Sequence, residues 1–129
     1  LTERVVGAID WLATQKPLDH LPLGLFGAST GSAACLRAAV ARPQQVRAIV
    51  SRGGRPDLAF DVLAAVRSPT LLIVGSHDVD VLELNAWAAS HLQTSHAIKV
   101  VAGAGHLFEE PGCLEEAARL AREWFQTQL

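Results

Sequence analysis

The chain has 129 residues, half of them hydrophobic and 19% charged, with a formal net charge of −2. That is enough for one domain (1–129) with a buried core, and too apolar for a disordered segment. The charge gives no electrostatic case for nucleic acid or an anionic membrane, and no apolar run reaches the length of a membrane span. The N-terminus has no signal-peptide h-region, so the expected location is cytoplasmic. Cys35 and Cys113 are too few and too far apart for a disulfide framework or a zinc site. Cys35, set among alanines and leucine, reads as a small buried hydrophobe. The chain contains no methionine and opens on residues that already read as a helix, so it is expected to be a fragment, a processed product or part of a larger polypeptide.

Along the chain, helices and short apolar strands alternate. Val5, Ile9 and Leu12 share one face of a first helix, with Thr2 as N-cap and an end near Gln15. A loop from Pro17 to Pro22 leads to a strand at Leu23–Phe26, then an alanine-rich helix from about Thr30 to Ala41. Arg42-Pro43 ends that helix, because proline disfavours helical geometry in the residue before it. Val46–Ser51 is a second strand, near-continuously apolar as strands covered on both faces tend to be. A glycine-rich turn, Arg52–Pro56, and a short helix within Asp57–Val66 separate it from a third strand, Thr70–Val74. Leu82–Leu92 is helical, Ala97–Val101 is a fourth strand, and Gly103-Ala-Gly-His106 is a loop. Leu114, Ala117, Ala118, Ala121, Trp124 and Phe125 trace the apolar face of a last helix, with Glu109-Glu110-Pro111 as its first turn. The expected fold is α/β: a parallel sheet of about four strands flanked by helices, joined by right-handed crossovers.

Residues 27–31 read Gly-Ala-Ser-Thr-Gly, a G-x-S-x-G motif between the first strand and the helix after it. A strand feeding a tight turn into a helix lifts a serine clear of the backbone as a nucleophile. In such a sheet functional residues gather at the carboxyl edge, where strands give way to loops. Ser29, Asp78 and His106 occupy that edge after the first, third and fourth strands. A serine hydroxyl needs a base to become nucleophilic; His106 would take its proton, and Asp78 would fix the histidine tautomer. The backbone N–H of Thr30, at a helix N-terminus, would donate to an oxyanion. Asp78 competes with Asp80 for the acid role and is preferred on motif position; Asp80 otherwise reads as an N-cap. His77 reads as a loop histidine, and no metal or other cofactor is expected. Arg52 and Arg55 flank Gly53-Gly54; they are either solvated turn residues or a guanidinium pair that binds a substrate carboxylate or phosphate.

The order Ser, Asp, His, with G-x-S-x-G on a strand–turn–helix, resembles the α/β-hydrolase superfamily. Within it the likeness is to the dienelactone-hydrolase-like group: Leu-Leu-Ile-Val-Gly-Ser-His-Asp resembles that fold's acid-bearing segment, and Gly-Ala-Gly-His its histidine loop. The run Ser-Arg-Gly-Gly-Arg-Pro-Asp is similar to hydrolase domains fused to a phosphoribosyltransferase domain. The resemblance covers the family's C-terminal half, so the N-terminal strands and one oxyanion donor would lie outside the chain. It implies hydrolysis of an ester, thioester or lactone. The dienelactone hydrolases proper use cysteine where this chain has Ser29, so a dienelactone is not implied. An unpaired edge at Leu23–Phe26 would favour self-association or pairing with the missing segment. A catalytically incompetent interaction module is one alternative. An NADP-binding Rossmann unit is another, but the glycines do not fit G-x-G-x-x-G and it leaves Asp78 and His106 without roles.

Overall fold

The computed structural model describes all 129 residues. Four strands, β1 (Leu23–Ala28), β2 (Val46–Arg52), β3 (Thr70–Gly75) and β4 (His96–Val101), form one parallel sheet in the order β1-β2-β3-β4. The helices are α1 (Thr2–Ala13), α2 (Gly31–Ala41), α3 (Val79–Ala89) and α4 (Cys113–Gln128). This is the α/β architecture that the alternation predicts.

Alternation along β2 divides the core between the two faces of the sheet. Ile49 packs with Ile9, Leu36, Leu63 and Leu92 on the side of α1 and α2. Its neighbour Val50 joins Leu71, Ile73, Phe108, Ala117 and Ala121 under α4. Every residue of β3 is buried, whereas β1 buries only Gly27 and leaves Phe26 half exposed. β1 is an edge strand, and its outer side pairs with nothing in the chain.

Several element boundaries differ from expectation for identifiable reasons. Thr2 lies inside α1 with Leu1 at the cap, and the helix stops at Ala13, where the Thr14 hydroxyl donates to the Trp11 carbonyl. β1 runs two residues further than expected because pairing with β2 continues through Gly27–Ser51 and Ala28–Arg52. The segment 57–66 holds two short 3-10 turns, Pro56–Ala59 and Leu63–Ala65, rather than an α-helix. α3 begins at Val79, three residues before the expected start. Glu109-Glu110-Pro111 does not begin α4, because Gly112 adopts a left-handed φ of 80° and the helix starts after it. The buried face of α4 is Cys113, Ala117 and Ala121, with Trp124 and Phe125 partly covered; Leu114 and Ala118 point outward. Both cysteines are buried and free, and burial pushes the Cys35 thiol up to about 11. No helix is long and apolar enough to cross a membrane.

Candidate active site

β1 ends against α2, and the turn between them carries Ser29. Gly27 lets the two elements touch: a Cβ there would lie 2.7 Å from the Gly31 carbonyl oxygen and 2.9 Å from Cys35 Sγ. Gly31 itself has open space beside its Cα, so its contribution to the contact is its backbone and not the lack of a side chain. Ser29 has a φ of 52°, the left-handed region that non-glycine residues rarely occupy. Such backbone strain persists only where surrounding structure enforces it. Here the Ser29 carbonyl accepts from the N–H groups of Ser32 (3.2 Å) and Arg55 (3.0 Å). Thr30 is exposed at the N-cap of α2, so its N–H belongs to the unsatisfied amino end of that helix.

Asp78 stands at the N-cap of α3, but its side chain makes no capping bond. It reaches His106 instead, with Oδ2 2.8 Å from Nδ1. The carboxylate is 14% exposed and the imidazole 41%. An ionised Asp78 can only accept, so Nδ1 carries the proton and Nε2 is left as the free acceptor. Asp80 lies in the first turn of α3, exposed and without a bond to His106; the N-cap position expected of it belongs to Asp78. No hydrogen bond joins the Ser29 hydroxyl to His106. The turn after β2 lies between them. Arg55 N–H holds the Ser29 carbonyl, and a Cβ on Gly53 would sit 3.1 Å from the His106 carbonyl and 3.5 Å from Nδ1.

The two flanking arginines have separate fates. Arg55 donates twice to Asp57, from Nε and Nη2 at 2.9 Å each, which holds the Asp57 carboxyl below the usual carboxylate range. Arg52 has no carboxylate partner; its guanidinium lies 5.2 Å from the Phe108 ring centroid and donates weakly to the Leu107 carbonyl at 3.4 Å. His77 is exposed, and His77, Asp78 and Asp80 do not converge as metal ligands.

The histidine loop is braced by residues that sequence reasoning missed. Gly75 fits so closely under it that a Cβ would overlap the Ala104 carbonyl, which also accepts from His77 N–H at 3.0 Å. Ser76 Oγ accepts from Gly103 N–H at 2.8 Å. Glu110, expected in a helical first turn, accepts from Gly105 N–H at 3.0 Å, next to His106. No short motif announces a loop-closing carboxylate five residues from its donor. Bonding to the Gly105 N–H, then to its own N–H, with the nearby charge of His77 adding a little, holds the Glu110 carboxyl below its ordinary value.

A lowered carboxyl pKa contributes stability that is fully present above the unfolded value, about 4.3, and is lost as pH falls through the folded value. Glu110→Gln keeps an acceptor but removes the charge. It is therefore expected to melt below the wild type at pH 7 and alongside it in strong acid. Melting curves across that range check this; an equal gap at both ends would remove the carboxylate charge from the account.

No family model matches the chain. It is 52% identical to a dienelactone hydrolase from Anabaena variabilis of known structure, superposing with a TM-score of 0.98 over 99% of this chain and 59% of that one. The chain has the dienelactone-hydrolase-like α/β-hydrolase fold. Against more distant hydrolases the fold alone is shared: the esterase domain of a Rhodothermus marinus protein, at 18% identity, gives a TM-score of 0.81 over 98% of this chain and 69% of that one. Among curated proteins, two from Mycobacterium tuberculosis, provisionally named phosphoribosyl transferases, are 54% identical over 125 residues. That match takes in 97% of this dienelactone-hydrolase-like chain but only 28% of each relative's length.

Proposed function

We propose that the protein is a serine hydrolase that cleaves an ester, thioester or lactone through Ser29, His106 and Asp78. The observation that carries this reading is the left-handed Ser29 at a strand–helix turn, φ 52°, a strained geometry held through the Ser29 backbone carbonyl and not its hydroxyl. In the mechanism, His106 Nε2 takes the proton from Ser29 Oγ as the oxygen attacks the carbonyl carbon. Asp78 holds Nδ1–H and stabilises the imidazolium that forms. Thr30 N–H donates to the developing oxyanion, and His106 returns the proton to the leaving group. Water then repeats the sequence on the acyl-enzyme. Arg52, free of any carboxylate, would meet an anionic part of a substrate, whereas the Arg55 fork is taken up by Asp57. The reading needs no cofactor. A fluorophosphonate probe, with the modified peptide mapped by mass spectrometry, tests it: the adduct belongs on Ser29. Nicotinamide-cofactor binding with no adduct would favour a Rossmann-type unit instead.

The names of the curated relatives support a setting for this activity. We place the hydrolase unit within a longer polypeptide that also transfers a phosphoribosyl group, consistent with a match to 28% of each relative. The open edge of β1 favours pairing with a further strand, either from the rest of such a polypeptide or from a second copy. The isolated chain is therefore expected to self-associate and to turn over p-nitrophenyl esters poorly. In the fold that the chain resembles, a second oxyanion donor comes from a loop before the nucleophile strand, and one such donor is worth about 10²–10³ in rate. Sedimentation and a simple esterase assay check both halves of this expectation. A stable monomer with robust, Ser29-dependent turnover would show the chain to be a sufficient hydrolase.

A further inference from the structure

The 52–55 turn touches both sides of the site, and a buried side chain from another element fixes it. Gly53, at φ 54°, donates its N–H to the Ile73 carbonyl at 2.7 Å and abuts His106. Arg55 N–H holds the Ser29 carbonyl. Gly54, between them, is wedged so tightly that a Cβ would overlap the hydroxyl oxygens of Ser51 and Ser32. Those buried hydroxyls form a relay: Ser51 Oγ donates to Ser32 Oγ at 2.7 Å, which donates to the Gly27 carbonyl at 3.2 Å. The turn, β2, α2 and the end of β1 thus form one bracket around Ser29.

The Gly54 peptide is tied from outside this bracket. Its carbonyl accepts from Asn85 Nδ2 at 3.0 Å. Asn85 lies in α3 and is fully buried; the same amide nitrogen donates to the Val81 carbonyl, one turn back, at 2.8 Å. Asn85 Oδ1 is buried with no hydrogen-bond partner. A buried amide oxygen without a partner loses its hydration and gains nothing in return. An apolar side chain of similar shape would avoid that loss but leave the buried Gly54 carbonyl without its donor, so the packing of α3 by itself does not call for asparagine here. The bond to Gly54 does. α3 also presents Asp78 at its N-cap, two turns before Asn85. One rigid helix therefore reaches His106 through Asp78 and reaches Ser29 through Asn85, Gly54 and Arg55.

We propose that Asn85 is a positioning residue that sets the separation of nucleophile and base by locking the 52–55 turn to α3. The proposal rests on the Ser29–His106–Asp78 reading above. Asn85→Thr tests it: threonine has a similar volume, its hydroxyl can bond the Val81 carbonyl within the helix, and it is too short to reach Gly54. In Asn85→Thr the Arg55 and Gly53 amides are expected to exchange about tenfold faster while the β3 amides keep wild-type protection. Fluorophosphonate labelling of Ser29 should slow by about 10²-fold, the scale of an ångström-size misplacement, with KM for an ester little changed. Asn85→Leu should behave the same way and serves if the threonine variant does not fold. Three results would overturn the proposal: variants that label like the wild type, unchanged Arg55 exchange, or exchange raised evenly across the sheet. A folded wild-type protein that does not label at Ser29 would instead overturn the hydrolase reading itself.

Discussion

In any form of the protein that turns over a p-nitrophenyl ester, Ser29→Ala is expected to abolish covalent labelling by an organophosphate and to reduce that turnover by on the order of 10⁴–10⁶. The substitution removes one oxygen atom from a half-buried turn, so the backbone that holds the turn stays as it is. The Ser29 carbonyl keeps its bonds from Ser32 and Arg55 because neither involves the side chain. A large loss of activity with an unchanged melting temperature would therefore isolate chemistry from folding. Labelling that persisted would move the nucleophile elsewhere. Cys35 is a poor substitute, since its thiol is buried and held up at about 11, leaving almost no thiolate at neutral pH.

The second large effect is expected at the acid. Asp78→Asn should lower kcat by about 10⁴-fold, because an amide facing Nδ1 can favour the wrong tautomer and leaves the imidazolium unstabilised. Asp80→Asn, two residues along, should change kcat by less than about twofold, since its carboxylate is exposed in the first turn of α3 and makes no bond to His106. Measuring the two variants side by side removes differences in expression and assay. The reverse ranking would transfer the acid role to Asp80. The pair also separates charge from position, as each variant neutralises one carboxylate at the same helix terminus.

The fold was legible because its signals are local. Short apolar runs bounded by glycine, proline and charged residues marked all four strands, and alternation with helical stretches implied a parallel sheet. The same pattern placed Ser29, Asp78 and His106 on the loops after the first, third and fourth strands, at one edge. Features that depend on which individual groups meet, or on the conformation of a single backbone residue, were not legible. Periodicity alone put Leu114 and Ala118 on the covered face of α4 together with Ala117, Ala121, Trp124 and Phe125; the first two face outward and Cys113 is buried instead, with the left-handed Gly112 fixing where the helix starts. Residue type alone does not tell Arg55 from Arg52; Asp57, two residues beyond Arg55, does so by claiming one guanidinium and not the other. Glu110 read as an ordinary helical acid, and Asn85 sits in a helical stretch where no motif marks it. Their partners, Gly105 and Gly54, are backbone groups that leave no mark on composition.

The strand order has a consequence for how the molecule assembles. Each strand pairs with the next one in the chain, so no strand waits for a distant partner, and every pairing closes a loop of one crossover. Loop-closure entropy grows only slowly with length, and pairings between sequence neighbours keep each such step small. The serine turn, the 52–55 bracket, the aspartate and the histidine loop therefore lie in chain order along the sheet, each following the strand that pairs with the one before it or after it.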